Sequence, residues 1–415
     1  MTGPLRVFVN ERPVDVARGA RVRDAVAAFD AALAGLLSAG NAYVTDAVGR
    51  PVDGGDAVGE AGAVFRVVVS ARQGPPRLTK DDLRRWPKVE LHVHLDGCLR
   101  PQTMLDLARA QGIRLPAETP AALADAMAVK HAKSLEEYLT KYAITLSVMQ
   151  TAAALERIAY EFVQDAAAEH VRYVEVRYSP LLHRPALTLA QAIEAPLRGF
   201  HRAERETGTK VGVIVCGIRT MPPATSLELA QAAADYRADG VIAFDLAGPE
   251  RDHAAADHRA AFAYAAQHGM ACTCHAGEGD GPDSIRQALH VCGAQRIGHG
   301  TRLGEDPGLL DEVVERAIPL EMCLTSNVHT HVVDAVTSHP FRRYLERGVR
   351  VTLSTDSRLM DGITLTDEYY AAHAALGLTR EQLARVVLNA CDAAFLPEPE
   401  KVALIARVQN ELEAL

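Results

Sequence analysis

From Val89 to Asp96 the apolar residues Val89, Leu91, Val93 and Leu95 alternate with a polar set that includes His92, His94 and Asp96. Residues two apart share a face of a pleated strand. The spacing therefore predicts a strand over 89–95 with one apolar face and one face carrying two imidazoles and a carboxylate. Short β-rich runs recur at 171–178, 211–216, 241–246, 271–275, 296–299, 320–324 and 351–355, separated by longer amphipathic stretches. Eight strands with helical connections predict an α/β chain built as a parallel (β/α)8 barrel with extra helices; a doubly wound sheet is the alternative. Residues 100–160 are too long for one crossover helix. There Leu135, Tyr138, Leu139 and Tyr142 form an apolar stripe on an added helix, expected to pack near the barrel mouth.

The first 71 residues follow another pattern. Leu5–Val9 alternates as a strand, 10–12 turns, and 13–16 returns as a second arm. Val22, Val26, Phe29, Leu33 and Leu36-Leu37 then recur at helical spacing. Strands at Ala42–Thr45 and Val64–Val69 flank a Gly/Asp-rich stretch, 49–62. This ββαβ…β order resembles the ubiquitin-like β-grasp fold of the small sulfur-carrier proteins. Those carriers work through a free Gly-Gly carboxyl terminus, whereas this chain runs on through Gly74-Pro75-Pro76. A docking, lid or oligomerisation module is the expectation. The predicted organisation is a β-grasp-like domain at 1–71, a linker at 72–85 and the barrel at 86–415.

Composition narrows the function classes. The 415 residues are 48% hydrophobic and 5% aromatic, with a formal net charge of −9 and no long basic run. Such a chain lacks the surface that nucleic acid or an anionic membrane requires, which leaves small-molecule chemistry. Seven scattered cysteines do not build a disulfide framework and suit a reducing compartment. No cationic segment precedes an apolar stretch at the N-terminus, and no apolar run approaches the roughly 18 residues of a membrane span. The expected location is the cytoplasm, and the pattern leaves the oligomeric state open.

Polar residues gather at the carboxyl ends of the predicted strands: His92, His94 and Asp96, then His275-Ala-Gly-Glu278, Gly298-His299-Gly300 and Ser354-Thr-Asp356-Ser357. Singly, each has a plain reading: a satisfied barrel histidine, a helix N-cap at Asp356, a solvated loop acid at Glu278. In a barrel, however, every carboxyl strand end meets at one mouth. Four strand ends delivering His, His, His and Asp there predict a metal site. Three imidazoles and a carboxylate suit zinc, leave a position for water, and favour hydrolytic attack on an unsaturated carbon. Glu278 would stand beside the metal as an acid, His299 would hold or deprotonate the water, and Asp356 would be ligand and acceptor. Cys272 and Cys274, flanking Thr273, are a competing pair for zinc, weighed against the common role of Cys in buried strands.

The motifs Val89-Glu-Leu-His-Val-His-Leu-Asp-Gly97, Asp245-Leu-Ala-Gly248, His275-Ala-Gly-Glu278, Gly298-His-Gly300, Thr325-Ser-Asn327 and Ser354-Thr-Asp356 resemble, in order and spacing, those of the adenosine deaminase family of the amidohydrolase superfamily. The resemblance spans about 86–397. It implies one Zn2+ per chain on His92, His94, His275 and Asp356, with Glu278 protonating purine N1 and His299 orienting or deprotonating the water. It also implies substrate contacts from Gly248 to N3, from Asp96 to a ribose hydroxyl, and from His94. Ser357 stands where the family commonly has a second aspartate contacting N7, and its hydroxyl reaches less far.

The implied reaction is water addition at C6 of adenosine or 2′-deoxyadenosine with loss of ammonia. Adenine, or a modified adenine nucleoside such as aminodeoxyfutalosine, is the alternative substrate. A catalytically silent protein whose β-grasp module recruits a partner is the alternative class. The His-x-Glu and Pro-Cys-x-x-Cys signature of the cytidine-type deaminases is absent, and no lysine ends strand four as in dinuclear relatives.

Overall fold

The computed structural model describes residues 4–38, 40–69, 78–129, 138–184 and 186–415, in which two separate sheets form. The first contains β1 (Leu5–Val9), β2 (Arg12–Val16), β3 (Ala42–Thr45), β4 (Pro51–Val52) and β5 (Val64–Val69) in the order β2-β1-β5-β3-β4. β1 and β2 pair antiparallel across a tight turn in which Asn10 and Glu11 take positive φ of 46° and 61°, the turn whose twist matches a hairpin. β1 and β5 run parallel, as the grasp-like reading requires. The helix expected from Val22 onward is two helices, Val22–Phe29 and Ala31–Ser38. Asp30 divides them, its Oδ1 accepting from the Ala32 and Leu33 amides at 2.7 and 3.1 Å. A side chain that caps a new helix start ends the preceding one. Val7, Val9, Val22, Val26, Val44 and Phe65 form a core distinct from that of the barrel.

The second sheet holds β6 (Lys88–His94), β7 (Val171–Tyr178), β8 (Lys210–Ile218), β9 (Val241–Ala247), β10 (Ala271–Ala276), β11 (Arg296–His299), β12 (Pro319–Met322) and β13 (Arg350–Leu353). All eight are parallel and in sequential order. A bridge between Val93 and Asp356 closes the circle: the His94 amide donates to the Asp356 carbonyl at 2.7 Å, and the Asp356 amide donates to His92 at 3.1 Å. Closure makes this a (β/α)8 barrel and excludes the doubly wound sheet.

Three expected strands end earlier than their pattern suggested, among them β13, which stops at Leu353 and leaves Ser354 to Asp356 beyond it. β12 stops at Met322, and Leu324–His329 is helical because the buried Glu368 carboxylate accepts from the Leu324 and Thr325 amides. β6 stops at His94, so Asp96 lies in a 3-10 turn, Leu95–Gly97, and not on the strand face. The segment after β6 forms helices Pro101–Gln111, Pro120–Met127 and Tyr142–Val148. Leu135 and the Gly74-Pro75-Pro76 linker lie outside the described residues. Among the described residues no helix is long and apolar enough to cross a membrane.

Candidate active site

The parallel strands deliver His92 and His94 from β6, His275 from β10 and His299 from β11 to one mouth, with Asp356 arriving just beyond β13. Alternation decides which side chains enter. Thr273 donates to Glu321 Oε1 inside the barrel at 2.9 Å, so His275, two residues on, also faces inward. Cys272 and Cys274 consequently face the helical layer, and Cys272 Sγ lies against the Phe262 carbonyl. Both are buried free thiols, and neither joins a metal-fitting group among the described residues.

His94 Nε2 and His275 Nε2 stand 3.1 Å apart, with Asp356 Oδ1 3.4 Å from His94 Nε2 and 3.6 Å from His92 Nε2. His92 also groups with His275 and His299, their donor atoms within 4.8 Å of one another. Carboxylates deeper in the barrel set the tautomers: His92 Nδ1 lies 2.9 Å from Glu321 Oε2, and His275 Nδ1 lies 3.0 Å from Asp245 Oδ2. Each carboxylate takes the Nδ1–H, which leaves the Nε2 lone pair aimed at the centre. His92 Nε2 is buried with no hydrogen-bond partner. A stranded imidazole lone pair beside further imidazoles and a carboxylate is an environment that a metal cation satisfies, so the residues fit the expected group.

An ionic layer anchors these carboxylates. Arg177 donates to Asp245 Oδ2 at 2.9 Å and to Glu321 Oε2 at 2.6 Å, and Arg296 Nε donates to Glu321 Oε1 at 2.7 Å. Burial opposes a charge on Glu321, but the two guanidinium groups outweigh it and hold the carboxyl well below its usual value.

Glu278 has the opposite balance. Burial, reinforced by the charges of Asp356 and Glu250, pushes its carboxyl well above the usual range and so favours its protonated form. Its Oε1 accepts from Thr330 Oγ1 at 3.2 Å, and its Oε2 lies 3.5 Å from His299 Nε2. The backbone beneath is clamped by Glu250, which accepts from the Gly277, Glu278 and Gly279 amides at 2.9, 2.8 and 3.0 Å. Burial holds His299 well below the usual imidazole value, hence neutral. Asn327 Oδ1 is engaged by Thr301 at 2.7 Å and His339 at 3.1 Å, which turns its amide NH2 onto His299 Nδ1 at 3.1 Å. The remaining His299 proton is therefore on Nε2, directed into the site. His299 and Asp356 both occupy the left-handed backbone region, φ 62° and 60°, a conformation found disproportionately at functional sites.

Above this cluster opens a cavity of about 400 Å³, lined on its apolar side by Leu139, Leu146, Leu182 and Ile218. That volume suits a small ligand. His94, Asp96, Gly248, Glu278, His299 and Asp356 all line it. Asp96 Oδ1 is buried without a partner, and desolvation raises its carboxyl to about 7. Gly248 has φ 105°, which only glycine adopts freely. Ser357 departs from expectation: it is fully buried, its Oγ close against Gly97, and the Tyr142 hydroxyl hydrogen-bonds over it. Tyr138 and Tyr142 take the place on the cavity wall, so the aromatic half of the predicted stripe lines the site as well as packing.

Sequence reasoning passed over Glu250, Glu321, Asn327 and Tyr142 as site residues. The signal for Glu321 was an acid inside an otherwise apolar strand, and for Glu250 an acid directly after the Gly248-Pro249 turn.

The Adenosine deaminase family model matches residues 87–411. A relative from Dictyostelium discoideum is 37% identical over 327 residues, 78% of this chain and 42% of its own greater length. The adenosine deaminase of Mycobacteroides abscessus is 40% identical over 338 residues, 77% of this chain and 93% of that protein. Among solved structures, the chain is similar to an adenine deaminase from Arthrobacter aurescens, with a TM-score of 0.73 and 26% identity over 79% of this chain and 99% of that one. It is also similar to an amidohydrolase from Burkhoderia ambifaria with bound Zn, with a TM-score of 0.75 and 25% identity over 83% of this chain and 96% of that one. With its barrel matched from end to end and a buried acid set against a metal-fitting cluster, the chain belongs to the adenosine deaminase family of hydrolytic, metal-dependent deaminases.

Proposed function

We propose that the chain converts adenosine or 2′-deoxyadenosine to the corresponding inosine and ammonia, using one zinc ion per chain on His92, His94, His275 and Asp356. The observation that carries this reading is Glu278, a buried acid whose carboxyl is pushed upward beside a cluster of imidazoles and a carboxylate at the floor of a nucleoside-sized cavity. Zinc, when bound, supplies the Lewis acidity that makes a water nucleophilic near neutral pH.

Glu278 gives its proton to ring N1, which withdraws electron density from C6 and opens it to attack. His299 Nε2–H donates to the water oxygen and holds it against the ring face. Asp356 takes the water proton and passes it to the departing amine, so that ammonia leaves. The hydroxyl proton left on C6 restores Glu278 as the carbonyl forms. In the same cavity the free Asp96 oxygen serves a ribose hydroxyl, and the Gly248 backbone serves N3. His94 borders the same space. Ser357 acts on N7 through Tyr142, whose hydroxyl covers it.

That withdrawal of Ser357 also favours a second reading, deamination of adenine or of a modified adenine nucleoside such as aminodeoxyfutalosine. A silent binding protein is disfavoured because every proposed ligand and the acid are in place. Metal analysis with ammonia release from a panel of aminopurines tests the reading. The expected result is about one zinc per chain and preferential turnover of adenosine or 2′-deoxyadenosine. Ammonia release from none of the panel overturns it.

A further inference from the structure

The N-terminal sheet touches the barrel at the short helix Arg358–Asp361, which follows Asp356 and Ser357. Its β3–β4 turn, 46–50, lies against the end of the short helix Arg358–Asp361, where Arg50 Nη1 donates to the Asp361 carbonyl at 3.1 Å and lies 3.5 Å from that of Gly362. The guanidinium is preset by Asp46, whose Oδ2 accepts from Arg50 Nε at 3.0 Å and whose Oδ1 accepts from the Val48 and Arg50 amides. The last carbonyls of a helix have no partner inside it and attract a cation. Here the capping cation comes from another domain. Val48 packs on the barrel core, and a Cβ at Gly49 would come within 3.1 Å of Ala335 Cβ, so the turn sits in close contact. A second tie lies alongside: Lys80 Nζ bridges Asp56 of the N-terminal domain at 2.8 Å and Asp367 of the barrel at 2.9 Å.

The gripped helix leads directly into the site. Its four residues span about 6 Å, and they follow Asp356 and Ser357 without a break. At its far end the Asp361 carboxylate accepts from Tyr138 Oη at 3.0 Å and pairs with His329 Nδ1 at 2.7 Å. Tyr138 lines the cavity beside Tyr142, their ring centroids 6.3 Å apart, and Tyr142 bonds Ser357 at the start of the same helix. One short rod thus holds two aromatic residues of the cavity wall, and Arg50 holds the rod.

We infer that the N-terminal domain braces the substrate cavity, with Arg50 positioning the Arg358–Asp361 helix and, through Asp361, the Tyr138 wall. The inference rests on the deaminase reading of that cavity. Arg50 touches no substrate and is a positioning residue, so its loss should be felt in KM more than in kcat.

The test compares full-length wild type with Arg50→Ala, Arg50→Lys and Arg6→Ala. Arg6 pairs with Asp15 on the exposed β1–β2 hairpin and serves as a control. Three quantities are read: zinc content, amide hydrogen exchange over 357–363, and kcat and KM for adenosine. Arg50→Ala is expected to keep its zinc and to exchange faster at the Asp361 and Ile363 amides, which donate to the Ser357 and Arg358 carbonyls at 2.9 and 3.1 Å. Its KM should rise roughly three- to tenfold, only part of what a hydrogen bond from a charged donor contributes because the loss reaches the cavity through Asp361 and Tyr138, with kcat nearly unchanged. Arg50→Lys should recover part of both effects, and Arg6→Ala should match wild type. Unaltered exchange in Arg50→Ala overturns the brace, as does faster exchange with an unaltered KM, or an Arg6→Ala change of equal size. A wild type that releases no ammonia from any aminopurine defeats the deaminase reading instead, and the exchange measurement then judges the brace by itself.

Discussion

At the scale of single residues, the sharpest consequence lies in Glu278. Glu278→Gln keeps the shape and the Thr330 contact but has no acidic proton, so kcat should fall by roughly two to four orders of magnitude while zinc is retained. The wild-type pH profile follows from the same group. Its carboxyl is raised above the ordinary value and works in the protonated form, so kcat/KM should fall as pH rises through that raised pKa. Steady-state rates across pH check this, and activity that climbs through the alkaline range would exclude Glu278 as the acid. Tyr142 and Ser357 make a second, smaller case. If their pair serves ring N7 by one neutral hydrogen bond, Tyr142→Phe and Ser357→Ala should each lower kcat/KM for adenosine no more than about tenfold. A 7-deaza analogue has no acceptor there and should be turned over equally by variant and wild type; parallel losses on both compounds would mean that the pair acts only by packing.

At the scale of elements, β7, β9, β11 and β12 each turn a charged residue into the barrel, and these form the Arg177, Asp245, Arg296 and Glu321 layer beneath the imidazoles. Buried charges are tolerated when paired and costly when a partner is removed. Arg177→Ala should destabilise the fold by about 3–5 kcal/mol, since it leaves Asp245 and Glu321 short of a cation. It should also weaken zinc binding by about 10–100-fold through the loosened His92 and His275. Thermal unfolding and zinc competition against a chelator measure the two effects. Stability and affinity both unchanged would show that the Arg177 pairings do not hold the layer.

At the scale of the whole molecule, two hydrophobic cores with separate membership favour the division into a β-grasp-like domain at 1–71, a linker at 72–85 and a barrel at 86–415. Removing residues 1–71 should leave a folded barrel with about one zinc per chain, because no proposed ligand or acid lies in the removed part. Circular dichroism and metal analysis of the truncated chain check this, and insoluble, metal-free material would show that the two cores fold together. The truncation should also carry the raised KM expected of Arg50→Ala, since it removes the same cation.

Local pattern alone pointed to the eight strands, to a parallel barrel ahead of a doubly wound sheet, and to a cluster of histidines and carboxylates at its mouth, because strand alternation and the carboxyl-end rule operate on neighbours in sequence. His92, His94, His275, Glu278, His299 and Asp356 were legible for that reason: each follows an apolar run whose direction is already known. Where β6 and β12 stop was not legible, since Asp96 and Leu324 continue an apolar or alternating pattern that only long-range contacts interrupt, such as Glu368 on the Leu324 amide. The single helix read from Val22 to Leu37 failed for a local reason, an Asp30 cap whose competing hydrogen bonds carry no hydrophobic signature. Tertiary structure also decided what Ser357 does. Its neighbour in sequence is a proposed ligand, yet its neighbour in space is Tyr142, more than two hundred residues earlier in the chain. The same is true of Arg50 and Asp361, for a hydrogen bond between distant segments leaves no trace in the spacing of residues along either one.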